Sequence, residues 1–321
     1  MSQEKYFVTG AAGAVGQVVV RDLLDRGHAV RALLRDPNSR NVLPDDVEIF
    51  TGDLSNEEVL KRAVDSVDVV FHLAAKLHIE NPDESLRDEY QLVNVKGTQT
   101  LVDIAAAVPR FVYFSTIAVY GGDRSQPELI TESDEAFPDT LYAQTKREAE
   151  LAVLDKNNGV VLRLAAVYGM GMKGNYPRLI NALKKRRFLY IGSGTNRRTL
   201  VHVSDVSRAA VLAAANPVAV GNIYNVTDGA VHSTREIIET ICSTLQISGP
   251  LFHLPERPVR MLAAAIEDIF AVAGKRAPIG RVTIDKFLED VAVSGEKIEA
   301  ELGFRPQYDL ESGWREALAQ R

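Results

Sequence analysis

The chain has 321 residues, 46% hydrophobic and 25% charged, the balance of an ordinary soluble globule with one large domain or two intimate ones. Lys plus Arg number 37 against 43 Asp plus Glu, and the net charge of −6 argues against nucleic acid or an anionic membrane as a partner. A single cysteine, Cys242, excludes a disulfide framework and a thiolate metal cluster, and no apolar run reaches the roughly 18 residues of a membrane span.

The N-terminal "MSQEKYFVTG" runs directly into a strand-like stretch, so no signal peptide is expected and a cytoplasmic location fits. "KYFVTG" reads as a short buried strand. Residues 13–26 read as a helix, with Val15, Val18, Val19, Leu23 and Leu24 at helical spacing and Gly27 closing it. "AVRALL" and "VEIFTGDL" are the next strands, and a helix over 56–64 follows, with Ser55 or Asn56 as its cap. "VDVVFHLAA" is a fourth strand, 85–107 a long helix, "FVYFST" a fifth strand, 141–154 a helix and "GVVLRLAAV" a sixth strand. Short apolar strands alternating with helices predict an α/β chain with a Rossmann-type, doubly wound parallel sheet. After Tyr168 the alternation breaks into basic, glycine-containing segments with short helices and strands.

The first strand–helix junction carries "TGAAGAVG", with glycines at 10, 13 and 16. Gly10 permits the sharp exit from the strand, Gly13 lets the backbone approach a pyrophosphate, and Gly16 lets the helix pack closely. The helix N-terminus offers free N–H groups and partial positive charge to phosphate. Elsewhere the pattern is only a tight turn; after the first strand it is a dinucleotide fingerprint. Strand two then selects the cofactor, since an acid at its end holds the NAD ribose and an arginine accommodates the NADP 2′-phosphate. The expected acid position is Leu34 and Arg35 follows it, which favours NADP(H). NAD(H) remains possible if Asp36 reaches the ribose. On this reading residues 1–168, completed by about 199–230, form the NAD(P)-binding domain. Residues 169–198 and 231–321 form a smaller C-terminal substrate-binding lobe.

Several motifs occur together in order: "TGAAGAVG", "GDL" at 52–54, "HLAA" at 72–75, "NVKGT" at 94–98, "FSTIAVYG" at 114–121, "YAQTK" at 142–146, "RLAAVYG" at 163–169 and "HVSDV" at 202–206. Across nearly its whole length the chain resembles an extended short-chain dehydrogenase/reductase of the nucleotide-sugar epimerase and dehydratase type. The resemblance implies cofactor contacts from Gly10, Ala12, Gly13, Ala14, Val15 and Gly16, from Asp53 and Leu54, from Leu73, Ala74 and Ala75, and from Leu164 and Ala166. It implies that Thr116, Tyr142 and Lys146 are catalytic, with Ser115 beside them. The residues agree. Tyr142 and Lys146, four apart, share a helix face. A tyrosine titrating near pH ~10 needs a neighbouring ammonium to act as a base. Thr116 ends strand five, at the carboxyl edge where ligands sit in such sheets.

Where family dehydratases carry an acidic pair after the catalytic threonine, this chain has Ile117 and Ala118, which transfer no protons. Dehydration is therefore discounted, leaving hydride transfer at C4 of a nucleotide-linked sugar by a 4-keto reductase or a 4-epimerase. Lys76, His78, Lys173, Asn175 and Arg198 are the candidate sugar and diphosphate contacts. The family's later Arg-x-Gly-Asp element is absent; "GKRAPIGR" offers Lys275, Arg276 and Arg281 instead. His72 is expected buried and neutral, His202 structural, Cys242 a core residue, and no residue cluster has metal-ligand spacing. Two further readings stay open: an NADPH-dependent reductase of a non-sugar ketone, as in the flavonoid and steroid branches, and a non-catalytic NADP-binding sensor. The resemblance also implies a homodimer paired through the helices at 85–107 and 141–154.

Overall fold

A computed structural model describes residues 3–77, 86–122, 128–172, 175–250, 252–272, 284–285 and 288–319. Strands β1 (Lys5–Thr9), β2 (Ala29–Leu34), β3 (Glu48–Thr51), β4 (Val69–His72), β5 (Arg110–Thr116), β6 (Gly159–Leu164) and a further strand over Ile223–Val226 build one parallel sheet. From one edge the order runs Ile223–Val226, β6, β5, β4, β1, β2, β3. The order reverses between β1 and β4, and at such a switch point the carboxyl ends of the strands leave a crevice for ligand.

The sheet is covered on both faces, so β4, β5 and β6 are buried almost throughout and mostly apolar. Helix α1 (Ala14–Asp25) and a helix over Val203–Ala215 pack Val19, Leu23, Val206 and Ala210 against one face. Helices α2 (Glu57–Val64), a short α3 (Arg87–Tyr90), α4 (Gly97–Ile104) and α5 (Leu141–Leu154) follow on the other, where Leu60, Leu101 and Ala149 are buried. Tyr6, Phe71 and Phe114 meet edge-to-face across one face of the sheet, with ring centroids 5.1 and 5.6 Å apart.

Two elements depart from expectation. The helix expected over 85–107 is α3, then a π-helical stretch Gln91–Lys96, then α4 ending at Ile104. The sixth strand is not continuous. It stops at Leu164, and β7 (Ala166–Tyr168) leaves the main sheet to pair with Leu200–His202. The break comes where Ala165 still bonds Val226 of the main sheet, while Ala166 donates to the Thr199 carbonyl. A smaller apolar cluster then gathers Tyr168, Ile180, Tyr190, Ile237, Ile241, Cys242 and Trp314, largely from helices Asn175–Lys184, Thr234–Thr244 and Leu310–Ala319.

The sheet edge at Ile223–Val226 is closed by side chains. Glu132 accepts the Asn225 amide at 2.6 Å, and Lys297 Nζ donates to the Ile223 carbonyl at 3.1 Å.

Candidate active site

The glycine turn has the geometry its spacing predicts. Gly10 has φ +70°, and a Cβ there would lie 2.7 Å from the Ala74 nitrogen. A Cβ on Gly16 would strike the Gly10 carbonyl and the Ala11 backbone, whereas one on Gly13 meets only the Gly10 oxygen at 3.1 Å. The turn is thus closed beneath and open at Gly13. Gly13 caps α1 with no side-chain acceptor, and no acidic residue stands in the first turn. The amides of Ala14, Val15 and Gly16 therefore face no competing carboxylate, which fits a dinucleotide pyrophosphate.

At the end of β2, Leu34 is buried and Arg35 is exposed. Asp36 is committed locally: its carboxylate caps the following 3-10 turn, accepting the Asn38 amide at 2.9 Å. Asp53 accepts from the Ser55 hydroxyl at 2.6 Å and the Ser55 amide at 2.9 Å. Those bonds, with the Arg35 charge adding, hold its carboxyl below the usual range. Leu54 is buried against Gly97.

Beyond β4, residues Leu73–Ala75 are extended and anchored from below. Thr98 donates its one hydroxyl proton to the Asn94 carbonyl at 2.6 Å. It can therefore only accept from His72 Nε2, 2.9 Å away, so Nε2 carries the ring proton. Nδ1 is bare and accepts from the Thr9 hydroxyl at 2.6 Å; Thr9 in turn accepts the Ala74 amide at 3.2 Å. Burial, helped by the Lys146 charge, pushes His72 down to about 3, so the ring is neutral as expected. Asn94 extends the brace, accepting the Lys76 amide at 2.7 Å and donating to Thr145 Oγ1 at 3.0 Å. Neither Asn94 nor Thr98 was assigned a role from sequence, although both lie in the "NVKGT" motif.

Tyr142 and Lys146 both lie on α5, whose N-terminus Thr140 caps by accepting the Ala143 amide. Lys146 is buried. Its Nζ donates to the Phe114 carbonyl at 2.6 Å and lies 4.0 Å from the Tyr113 ring centroid. This bond fastens α5 to the end of β5, where Thr116 sits. Burial pushes the Lys146 ammonium down to about 7, opposed by the charge of Glu150. Tyr142 differs from expectation: burial dominates and raises it to about 12, so its phenol stays protonated at neutral pH. Thr116 accepts the Ala118 amide at 3.2 Å, leaving its own proton available. Ser115 points to the other side of the strand, donating to buried Glu150 at 2.5 Å. The structure thus holds α5, which carries Tyr142 and Lys146, against the end of β5, and turns Ser115 toward Glu150 of that helix, away from the side Thr116 takes.

The candidate substrate contacts are more scattered. Arg198 is ion-paired with Glu289 at 3.2 Å and neighbouring Arg197 with Asp290 at 3.0 Å. Lys76 pairs with Glu89 at 2.7 Å. Asn175 is the first residue of a helix. His78, Lys173, Lys275, Arg276 and Arg281 lie outside the described residues. Leu164 is buried at the end of β6, and Ala166 is half-buried in β7. His202 is structural: it caps the helix Val203–Ala215 and pairs with Glu316 at 2.9 Å. Among the described residues no three His, Cys, Asp or Glu side chains gather to hold a metal, and no helix is long and apolar enough to cross a membrane.

The model of the NAD dependent epimerase/dehydratase family matches residues 6–227. The 4-hydroxy-2-methyl-3-oxo-4-farnesyl-3,4-dihydroquinoline-1-oxide ketoreductase of Stigmatella aurantiaca is 30% identical over 319 residues, covering 96% of this chain and 93% of its own. The 3 beta-hydroxysteroid dehydrogenase/Delta 5-->4-isomerase of Mycobacterium tuberculosis is 29% identical, covering 98% of this chain and 89% of its own. The solved structure of MoeE5 in complex with UDP-glucose and NAD superposes with a TM-score of 0.75 at 26% identity, over 98% of this chain and 97% of that one.

The buried neutral His72 has a measurable signature. Its folded value, about 3, lies below the ordinary 6.5, so between those pH values the unfolded chain binds the extra proton. The stabilising contribution is complete above pH 6.5 and is lost as pH falls toward 3. Urea unfolding of wild type across this window should show stability rising with pH, and His72→Asn should flatten the slope by up to about 1.4 kcal/mol per pH unit. An unchanged slope would mean that His72 is not buried in the neutral form.

Proposed function

The chain belongs to the NAD dependent epimerase/dehydratase family, a family of NAD-dependent oxidoreductases and epimerases, and we propose that its reaction is hydride transfer at C4 of a diphosphate-linked sugar. The observation that supports this reading is the fastening of α5, the helix bearing Tyr142, by Lys146 to the strand that ends at Thr116, in a sheet bearing an open glycine turn. The likeness to the UDP-glucose complex supports the sugar. A bound nicotinamide supplies or accepts the hydride. The Tyr142 phenol, kept protonated by burial, gives its proton to the carbonyl oxygen as hydride arrives, and the Thr116 hydroxyl orients that oxygen. Lys146 supplies the positive charge that favours a phenolate once the proton has left.

Arg35 supports NADPH as the preferred cofactor. It is exposed at the end of β2, while Asp36, the carboxylate next to it in sequence, is bonded to the Asn38 amide. A homodimer is proposed on the same footing, with exposed Leu92 beside α3 and Leu151 on α5 available to pair.

A second reading has its own support. Lys76 and Arg198, the two described candidate cations for a diphosphate, already hold carboxylate partners. The Stigmatella relative is a ketoreductase of a farnesyl-bearing dihydroquinoline oxide, with no diphosphate in its name. On that reading the substrate is an uncharged, lipophilic ketone.

Three outcomes are expected. Tyr142→Phe should lower turnover by about 10²–10⁴-fold while leaving cofactor affinity nearly unchanged, because it deletes only the proton-transfer group; full activity in this variant would remove Tyr142 from the mechanism. Fluorescence titration should show at least about tenfold preference for NADPH over NADH, roughly 1.4 kcal/mol, lost in Arg35→Ala; equal affinities in wild type would refute the arginine's role. UDP at about 100 times its Kd should stabilise the protein by about 2.7 kcal/mol in a thermal melt. No effect of UDP, with turnover of an apolar ketone, would replace the sugar by the second reading.

A further inference from the structure

One buried group behind the site has no place in the reaction as described. Glu150 lies on α5 one turn beyond Lys146, on the same helix face, and is completely buried. Each of its oxygens is used twice. One accepts from Ser115 Oγ at 2.5 Å and Arg163 Nε at 3.0 Å; the other accepts from Arg163 Nη2 at 2.7 Å and Arg147 Nη1 at 2.9 Å. Ser115 precedes Thr116 on β5, and Arg163, itself buried, comes from β6 with its guanidinium carbon 4.6 Å from the Tyr120 ring centroid. A single carboxylate therefore ties α5, β5 and β6 together directly beneath Thr116 and Lys146.

Stability alone does not account for such an arrangement. Taking two charges out of water costs about what their attraction returns, and a well-packed apolar pair of similar volume does as well or better. What apolar residues do not supply is charge. The titratable groups around Lys146 are His72 from β4, Tyr113 from β5, and Tyr142 and Glu150 from α5 itself, with the Arg163 guanidinium of β6 and that of Arg147 bonded to the Glu150 carboxylate and partly offsetting its charge. His72 is neutral, and burial and neighbouring negative charge hold Tyr113 well above its ordinary value, so it too is neutral. Glu150 is the carboxylate whose field favours the ammonium form against burial.

We propose that Glu150 is a positioning residue for this site: it fixes the Ser115–Thr116 strand end and keeps Lys146 charged, without itself touching substrate or cofactor. The inference rests on the role given to Lys146 under the proposed function, but its test uses no substrate, so failure of the sugar assay leaves it standing or falling separately.

The measurement is the titration of the Lys146 ε-carbon by NMR in full-length protein labelled with 13C-lysine, the resonance assigned with Lys146→Arg. Glu150→Gln should move the Lys146 midpoint down by at least about one pH unit, and Glu150→Asp, which keeps the charge, should restore most of that shift. A merely structural role predicts loss of thermal stability with the midpoint unmoved, and that result overturns the proposal. If Glu150→Gln fails to fold because Arg163 is left unpaired, the double variant Glu150→Gln/Arg163→Met removes the orphaned guanidinium. Because Arg163→Met also removes a positive charge, the double variant is compared with Arg163→Met alone: the Lys146 midpoint must lie lower in the double variant, and equal midpoints in the two folded variants are equally fatal.

Discussion

The site is organised by one buried hydrogen bond, from the Lys146 ammonium to the Phe114 carbonyl at 2.6 Å. An ammonium taken out of water needs partners, and Lys146 finds them in that carbonyl, in the Tyr113 ring and in the field of Glu150. The bond also fixes geometry. Phe114 lies two residues before Thr116, so the helix carrying Tyr142 cannot slide along the sheet without abandoning a desolvated charge. On the facing side, the neutral His72 passes a one-way chain of hydrogen bonds from Ala74 to Asn94, holding the Leu73–Ala75 strip level with the glycine turn.

Much of this was legible in the sequence. The alternation of apolar strands and helices located the six strands of the first half, and the spacing of Gly10, Gly13 and Gly16 located the turn. Tyr142 and Lys146 four apart on a helix were correctly placed on one element. Less legible were properties that depend on burial. The expectation that an ammonium would lower Tyr142 reversed, because desolvation of the phenol outweighs a lysine already bonded elsewhere. The π-helical stretch Gln91–Lys96 left no periodic mark, since it is a local adjustment within a helix that both starts and ends as α. The break between β6 and β7 was hidden because "RLAAVYG" is apolar throughout, and only Thr199 and Val226, distant in sequence, decide which sheet each residue joins.

Glu150 shows the same limit from the other side. Four residues after Lys146, its position on the same face could be read off the sequence, yet a glutamate on a helix is ordinarily solvated. Only the convergence of Ser115 and Arg163 from neighbouring strands turns it into a buried group. The described candidate cations are already matched, Arg198 by Glu289, Arg197 by Asp290 and Lys76 by Glu89, so an anionic substrate has to compete with resident carboxylates.

The closed edge at Ile223–Val226 has a consequence for how copies of this chain meet. A long parallel sheet that ends in unpaired amides and carbonyls invites strand donation from a neighbour, and with it runaway polymerisation. Here Glu132 occupies the Asn225 amide and Lys297 the Ile223 carbonyl, so a foreign strand would have to strip two charged side chains from the backbone before adding. Strand addition at this edge therefore costs the desolvation and unpairing of two charged groups, which disfavours it.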